Sequence, residues 1–245
     1  MIKFSLLVAV LIFGLSEASW PDGKYCLPMP RSQKCPSGWK TGERRHDTED
    51  HHGSRYCGIK RHGWVPYNVD LCRNLGWRFC CKDKANYPAT RKTWPKGEYC
   101  IFRKGGLCPR GFASGYLYWD DEDRNNQNKY SGVLPDGDYN RNTKMYFCCR
   151  NDAPIAYTSW WPRRKINRLY GLPKCSEIIV MRYKGKCPSP GVGYLGPHTG
   201  YLQWDTEDRN NQDKRIGVFP DGQKSFGSGI KIEFCSYTTA AGYEC

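Results

Sequence analysis

The stretch WDDEDRNNQ (Trp119–Gln127) returns further along the chain as WDTEDRNNQ (Trp204–Gln212), and its acidic core appears once more as DTED (Asp47–Asp50). A glycine stands five residues before the first aspartate each time, Gly42 before Asp47, Gly115 before Asp120 and Gly200 before Asp205. Working outward, each acidic cluster is preceded by a Cys-Pro (Cys35-Pro36, Cys108-Pro109, Cys187-Pro188) and followed by a Gly-apolar-apolar-Pro turn (Gly63–Pro66, Gly132–Pro135, Gly217–Pro220). Each copy closes on Phe-Cys: RFCC (Arg78–Cys81), YFCCR (Tyr146–Arg150), EFCS (Glu233–Ser236). Two copies open with WPDGKYC (Trp20–Cys26) and WPKGEYC (Trp94–Cys100), and a third opening begins at Trp161-Pro162. Landmarks repeated in one order divide the chain into segments of about 20–92, 93–159 and 160–245, a period too long for a thin solenoid.

Within each segment the apolar runs are short and separated by Gly, Pro, Asn and Asp, which predicts strands and turns in place of helices. Pro135-Asp136-Gly137 and Pro220-Asp221-Gly222 are turn signals, because proline pre-sets φ and glycine accepts positive φ. One segment alone holds too few large apolar residues to fold unaided. The expectation is therefore a single all-β, disulfide-rich domain over residues 19–245, built of three related lobes in a β-trefoil-like arrangement or a distorted β-sandwich.

The chain has 245 residues, 38 Lys and Arg against 24 Asp and Glu, and a formal charge of +14. Its mean hydropathy is −0.75, with one strongly apolar run at the N-terminus, so a multispanning membrane protein is excluded. Met1–Ala18 has a basic Lys3, an apolar Phe4–Gly14 and small residues Ser16 and Ala18 before a cut at Ser19, the pattern of a secretory signal. The apolar run is too short to span a bilayer comfortably, and no transmembrane segment is expected. Secretion predicts disulfides for the 14 cysteines. The opening and Cys-Pro cysteines (Cys26, Cys35, Cys100, Cys108, Cys187) are expected to pair with the closing ones (Cys80, Cys81, Cys148, Cys149, Cys235). Cys57 is expected with Cys72, and Cys175 with Cys245.

The candidate ligand-binding residues are Trp119, Asp120, Asp121, Glu122, Asp123, Arg124, Asn125 and Asn126, with Trp204, Asp205, Glu207, Asp208, Arg209, Asn210 and Asn211 in the other copy. Their amides and carboxylates suit sugar hydroxyls, while tryptophan packs on a sugar's C–H face. Ca²⁺ is a weaker reading, because the spacing is not that of an EF-hand. The competing role is structural: Asp and Asn bond nearby backbone in turns, and threefold recurrence weighs towards it. His46, His51 and His52 beside Glu49 and Asp50 are too loosely spaced to specify zinc. HExxH, GxSxG and P-loop signatures are absent, so no catalytic residue and no enzyme activity is expected. The charge favours polyanions such as bacterial envelope polymers or acidic glycans, with Arg163-Arg164-Lys165 as a second candidate patch, and export argues against nucleic acid.

WPKGEYCIFRKGGLCPRGF, YWDDEDRNNQNKYSGVLPDG and NTKMYFCCR resemble the apextrin C-terminal (ApeC) domain, and the resemblance runs from about Trp20 to Tyr237. It implies a secreted, extracellular protein that recognises bacterial peptidoglycan in innate defence, or one that serves an apical matrix. The function expected is thus carbohydrate-binding pattern recognition. A structural matrix, mucus or biomineral protein is the first alternative, and a venom component or glycan hydrolase the second.

Overall fold

The computed structural model describes residues 20–48, 59–70, 74–85, 91–121, 125–158, 161–165, 168–169, 172, 177–191, 193–206, 210–222 and 229–239. The signal-like Met1–Ala18 and four cysteines (57, 72, 175 and 245) lie outside them.

The first segment supplies β1 (Tyr25–Pro28), β2 (Lys40–Asp47), β3 (Ile59–Gly63), β4 (Asn68–Asp70) and β5 (Asn74–Lys82). The second supplies β6 (Glu98–Arg103), β7 (Ala113–Trp119), β8 (Lys129–Gly132), β9 (Gly137–Tyr139) and β10 (Thr143–Asn151). A separate two-stranded ribbon, β11 (Ile155–Thr158) and β12 (Trp161–Lys165), carries the Arg163-Arg164-Lys165 run. The third segment supplies β13 (Glu177–Arg182), β14 (Tyr194–Trp204), β15 (Lys214–Gly217) and β16 (Ile230–Thr239). The expected all-β architecture is what the chain adopts, and every strand outside the ribbon belongs to one 14-stranded sheet.

Each opening strand pairs antiparallel with its own closing strand, β1 with β5, β6 with β10 and β13 with β16. The opening strands also meet one another through β6, which pairs with both β1 and β13. Adjacent closing cysteines follow from the pleat, since successive side chains on a strand point to opposite faces. Cys81 faces one core cluster and bonds Cys26 directly across the ladder, while Cys80 bonds Cys35 on the other face. Cys100–Cys149 and Cys108–Cys148 repeat the arrangement, and Cys187–Cys235 repeats its second half. In the third segment Ile179 and Ser236 take the register position of the missing cross-strand disulfide. These five bonds follow the expected pairing.

The segments are then interlocked by exchanged arms. The strand leading into the Gly-apolar-apolar-Pro turn of each segment leaves its own lobe and pairs with the preceding one in cyclic order: β8 with β2, β15 with β7 and β3 with β14. At each crossing two landmark glycines stand opposite each other, Gly42↔Gly132, Gly115↔Gly217 and Gly200↔Gly63. A Cβ on Gly42, Gly115 or Gly200 would lie 2.1, 2.1 or 2.2 Å from a backbone carbonyl oxygen of Val133, Val218 or Trp64. The recurring glycine therefore marks where two backbones cross too closely for a side chain.

Candidate functional site

The acidic clusters begin at the ends of β2, β7 and β14, and the first carboxylates of the first two are spent on the neighbouring segment. Asp47 accepts the Gln127 N–H at 2.6 Å, and its own N–H donates to Asn128 Oδ1 at 2.6 Å. Asp120 repeats this with the Gln212 N–H at 2.8 Å and Asp213 Oδ1 at 2.9 Å. Asn125 and Asn210 each take a left-handed φ, 51° and 58°, at the bend that feeds these contacts. The Asp…Asn-Asn-Gln pattern is thus a strap between segments. Thr206 and Asn211 close the same loop in the third segment with Asp213, and burial pushes the Asp213 carboxyl up. Glu122–Arg124 and Glu207–Arg209 lie outside the described residues.

The tryptophans that precede the clusters point inward. Trp119 and Trp204 are both fully buried, so the expectation that their faces receive a sugar is not met. The residue at the same offset in the first segment is His46, also fully buried. The three rings form a near-equilateral triangle at the centre of the core, with centroid separations of 5.5, 5.6 and 5.6 Å.

One junction differs from the other two. Leu117 and Leu202, counted from the landmark glycines, correspond to Arg44 in the first segment. Thr48 and Thr206 correspond to Asp121, and Leu75 and Ile230 to Thr143. All three polar substitutions fall at the contact between the first and second segments, and Arg44 is 0% exposed and Asp121 1%. The Arg44 guanidinium donates to Thr143 Oγ1 (2.7 and 3.0 Å) and lies 3.4 Å from Asp121 Oδ2. The Thr143 hydroxyl and the Asn128 amide donate to the same carboxylate at 2.5 and 2.9 Å. His46 Nδ1 stands 3.2 Å from Asp121 Oδ1. Burial holds the imidazole below its ordinary pKa, against the opposing pull of Asp121.

This cluster underlies an open depression of ≈ 570 Å³ lined by Asn126, Asn128, Lys129, Tyr130, Tyr139, Asn140 and Arg141. Arg44 donates to the backbone carbonyls of Tyr139 (2.9 Å) and Asn140 (3.1 Å), fixing the far wall. Asn126 and Asn128 donate to the Arg141 carbonyl at 2.9 and 2.5 Å, tying the near wall to it. Tyr130 is 60% exposed, 6.2 Å from the Tyr139 ring, whose hydroxyl donates to Pro135 O. Two cationic side chains and two tyrosine rings line the depression, and among the described residues no carboxylate does. An aromatic face, an Asn140 amide and two cations suit a sugar that carries an anionic group.

The family model for the C-terminal domain of apextrin, ApeC, matches residues 20–237. The chain belongs to the ApeC family. No curated protein and no solved structure matches it. The ApeC domain here is disulfide-rich, and among the described residues no helix is long and apolar enough to cross a membrane, which is consistent with an extracellular, apextrin-like protein.

Of the described candidate residues expected from sequence, only Asn126 lines the ApeC depression. Lys129, Tyr130, Tyr139, Asn140 and Arg141 escaped notice. A signal existed: two residues before the arm glycine the first and third segments carry Arg61 and Arg215, and the second carries Tyr130. Among the described residues no group of three His, Cys, Asp or Glu is placed to hold a metal. His46 stands in the core, and Glu49, Asp50, His51 and His52 lie outside the described residues.

Proposed function

We propose that this ApeC protein is a secreted, non-catalytic recognition protein of innate defence that holds bacterial peptidoglycan at the Tyr130–Arg141 depression. The observation that carries the reading is an open hollow, lined by no carboxylate among the described residues, whose exposed ring and flanking cations sit on a cross-linked frame. Tyr130 offers a ring face to the sugar's C–H surface, and Lys129 and Arg141 attract the polymer's carboxylates. The net charge of +14 raises the local concentration of such anionic polymers. Family membership supports an extracellular role. No nucleic-acid partner and no resident metal belong to this reading.

The test is co-sedimentation of the oxidised, signal-less protein with insoluble peptidoglycan at two salt concentrations. Saturable retention that survives the higher salt is expected. Tyr130→Ala and Arg141→Ala should each weaken it by about 1 kcal/mol or more. Retention lost entirely with added salt would leave unspecific charge attraction, and self-association without retention would favour a matrix protein.

A further inference from the structure

The chain contains its own control for the buried polar cluster. Three equivalent junctions join the segments, and two are closed by Leu, Thr and Leu or Ile around a tryptophan. The third replaces all four positions with Arg44, Asp121, Thr143 and His46. A buried ion pair of this kind gives no more stability than the apolar set it replaces, so its presence at this one junction calls for another account. That junction is also the one whose side chains hold up the depression, through Arg44 to the Tyr139 and Asn140 carbonyls and through Asp121 to Asn128.

We infer that the Arg44–Asp121–Thr143–His46 cluster is an acid-released latch that holds the depression in its binding shape at neutral pH and lets it open when His46 takes up a proton. This rests on the depression being the ligand site. The groups around His46 are accounted for element by element. β2 contributes the Arg44 cation, and the end of β7 contributes the Asp121 carboxylate and the Trp119 ring. β10 contributes the Thr143 hydroxyl, β5 the Trp77 ring and β14 the Trp204 ring. One carboxylate already serves one cation there. His46 Nε2 is buried with no hydrogen-bond partner among the described residues, so a proton placed on it would leave an N–H with no acceptor and a second cation beside Arg44. The closed cluster therefore excludes the proton, and the opened one accepts it. Burial keeping the closed imidazole below its ordinary 6.5 agrees in direction. Because opening admits one proton, the open population should rise about tenfold for each pH unit below about 6.5.

Hydrogen exchange of the wild-type protein between about pH 7.5 and 5, corrected for the intrinsic exchange rate, reads that population directly. Opening constants for backbone amides of 129–141 are expected to climb about tenfold per pH unit below about 6.5, while those of β13 and β16 stay level. In His46→Phe the rise should vanish, and His46→Gln serves if the phenylalanine variant lacks native protection. Level opening constants at 129–141 in the wild type, or an undiminished rise in the variants, would overturn the latch. Peptidoglycan sedimentation in parallel separates the two readings. Acid opening without retention at neutral pH removes the ligand and leaves the latch. Retention undiminished where exchange shows the depression open removes the latch as a regulator of this site.

Discussion

Converting Arg44, Asp121 and Thr143 of the polar junction to the residue types of its two apolar counterparts, with His46 kept, isolates what the buried ions do. The set Arg44→Leu, Asp121→Thr and Thr143→Ile writes into the first junction the residue types found at the others. Asp121→Thr alone strips a fully buried guanidinium of its carboxylate, leaving it only neutral acceptors at Thr143, Tyr139 and Asn140. Arg44→Leu alone leaves the carboxylate without its cation. Removing one member of a buried ion pair costs about 3–5 kcal/mol, whereas replacing the whole set by packed apolar groups ranges from neutral to about 4 kcal/mol stabilising. The triple variant should therefore be more stable than either single variant by at least about 3 kcal/mol. Guanidinium unfolding of the oxidised proteins, followed by tryptophan fluorescence from the core around His46, measures each. The triple variant also deletes the bonds from Arg44 to the depression wall, so it should bind peptidoglycan more weakly despite its stability. If Asp121→Thr costs less than about 1 kcal/mol, or the triple variant is no more stable than the singles, the ion pair is not the closed, water-free unit described here.

Gly115→Ala should destabilise by about 3 kcal/mol, because its Cβ meets backbone of Val218 and relief requires parting β15 from β7; denaturant midpoints of this variant against the wild type check it. Trp204→Ala should cost about 3–5 kcal/mol by loss of core packing and leave peptidoglycan affinity per folded molecule unchanged, as unfolding and sedimentation together would record. Burial raises the phenols of Tyr25, Tyr99, Tyr139 and Tyr237. The unfolded chain loses those protons near 10 and the folded one later, so their stability contribution is intact below about pH 10 and is lost above it, visible as an alkaline fall in unfolding free energy.

The five described disulfides and the all-β frame were legible because each is written locally and repeated along the chain. Adjacent cysteines on a strand must face opposite ways, and a Phe-Cys closing on a fixed opening leaves few partners. The offset from Gly42 to Asp47 was equally plain, yet its consequence was not. It places His46 at the position of Trp119 and Trp204, and only the meeting of three segments shows those positions to be one central triangle. The arms were hidden for the same reason, since β8, β15 and β3 pair with segments distant in sequence. Trp119 and Trp204 misled because a tryptophan beside acids and amides has the composition of a sugar site. The strand's alternation turns the ring inward and leaves Tyr116 and Tyr118 facing out. The depression escaped because it arises where the second segment departs from the repeat.

The most direct measurement is a backbone amide titration of the isotope-labelled, oxidised protein with soluble muropeptides. Saturable shifts confined to the region of Asn126, Lys129, Tyr130, Asn140 and Arg141 are the result predicted. No saturable shifts, or shifts gathered on the Ile155–Lys165 ribbon instead, would contradict a binding site at this depression.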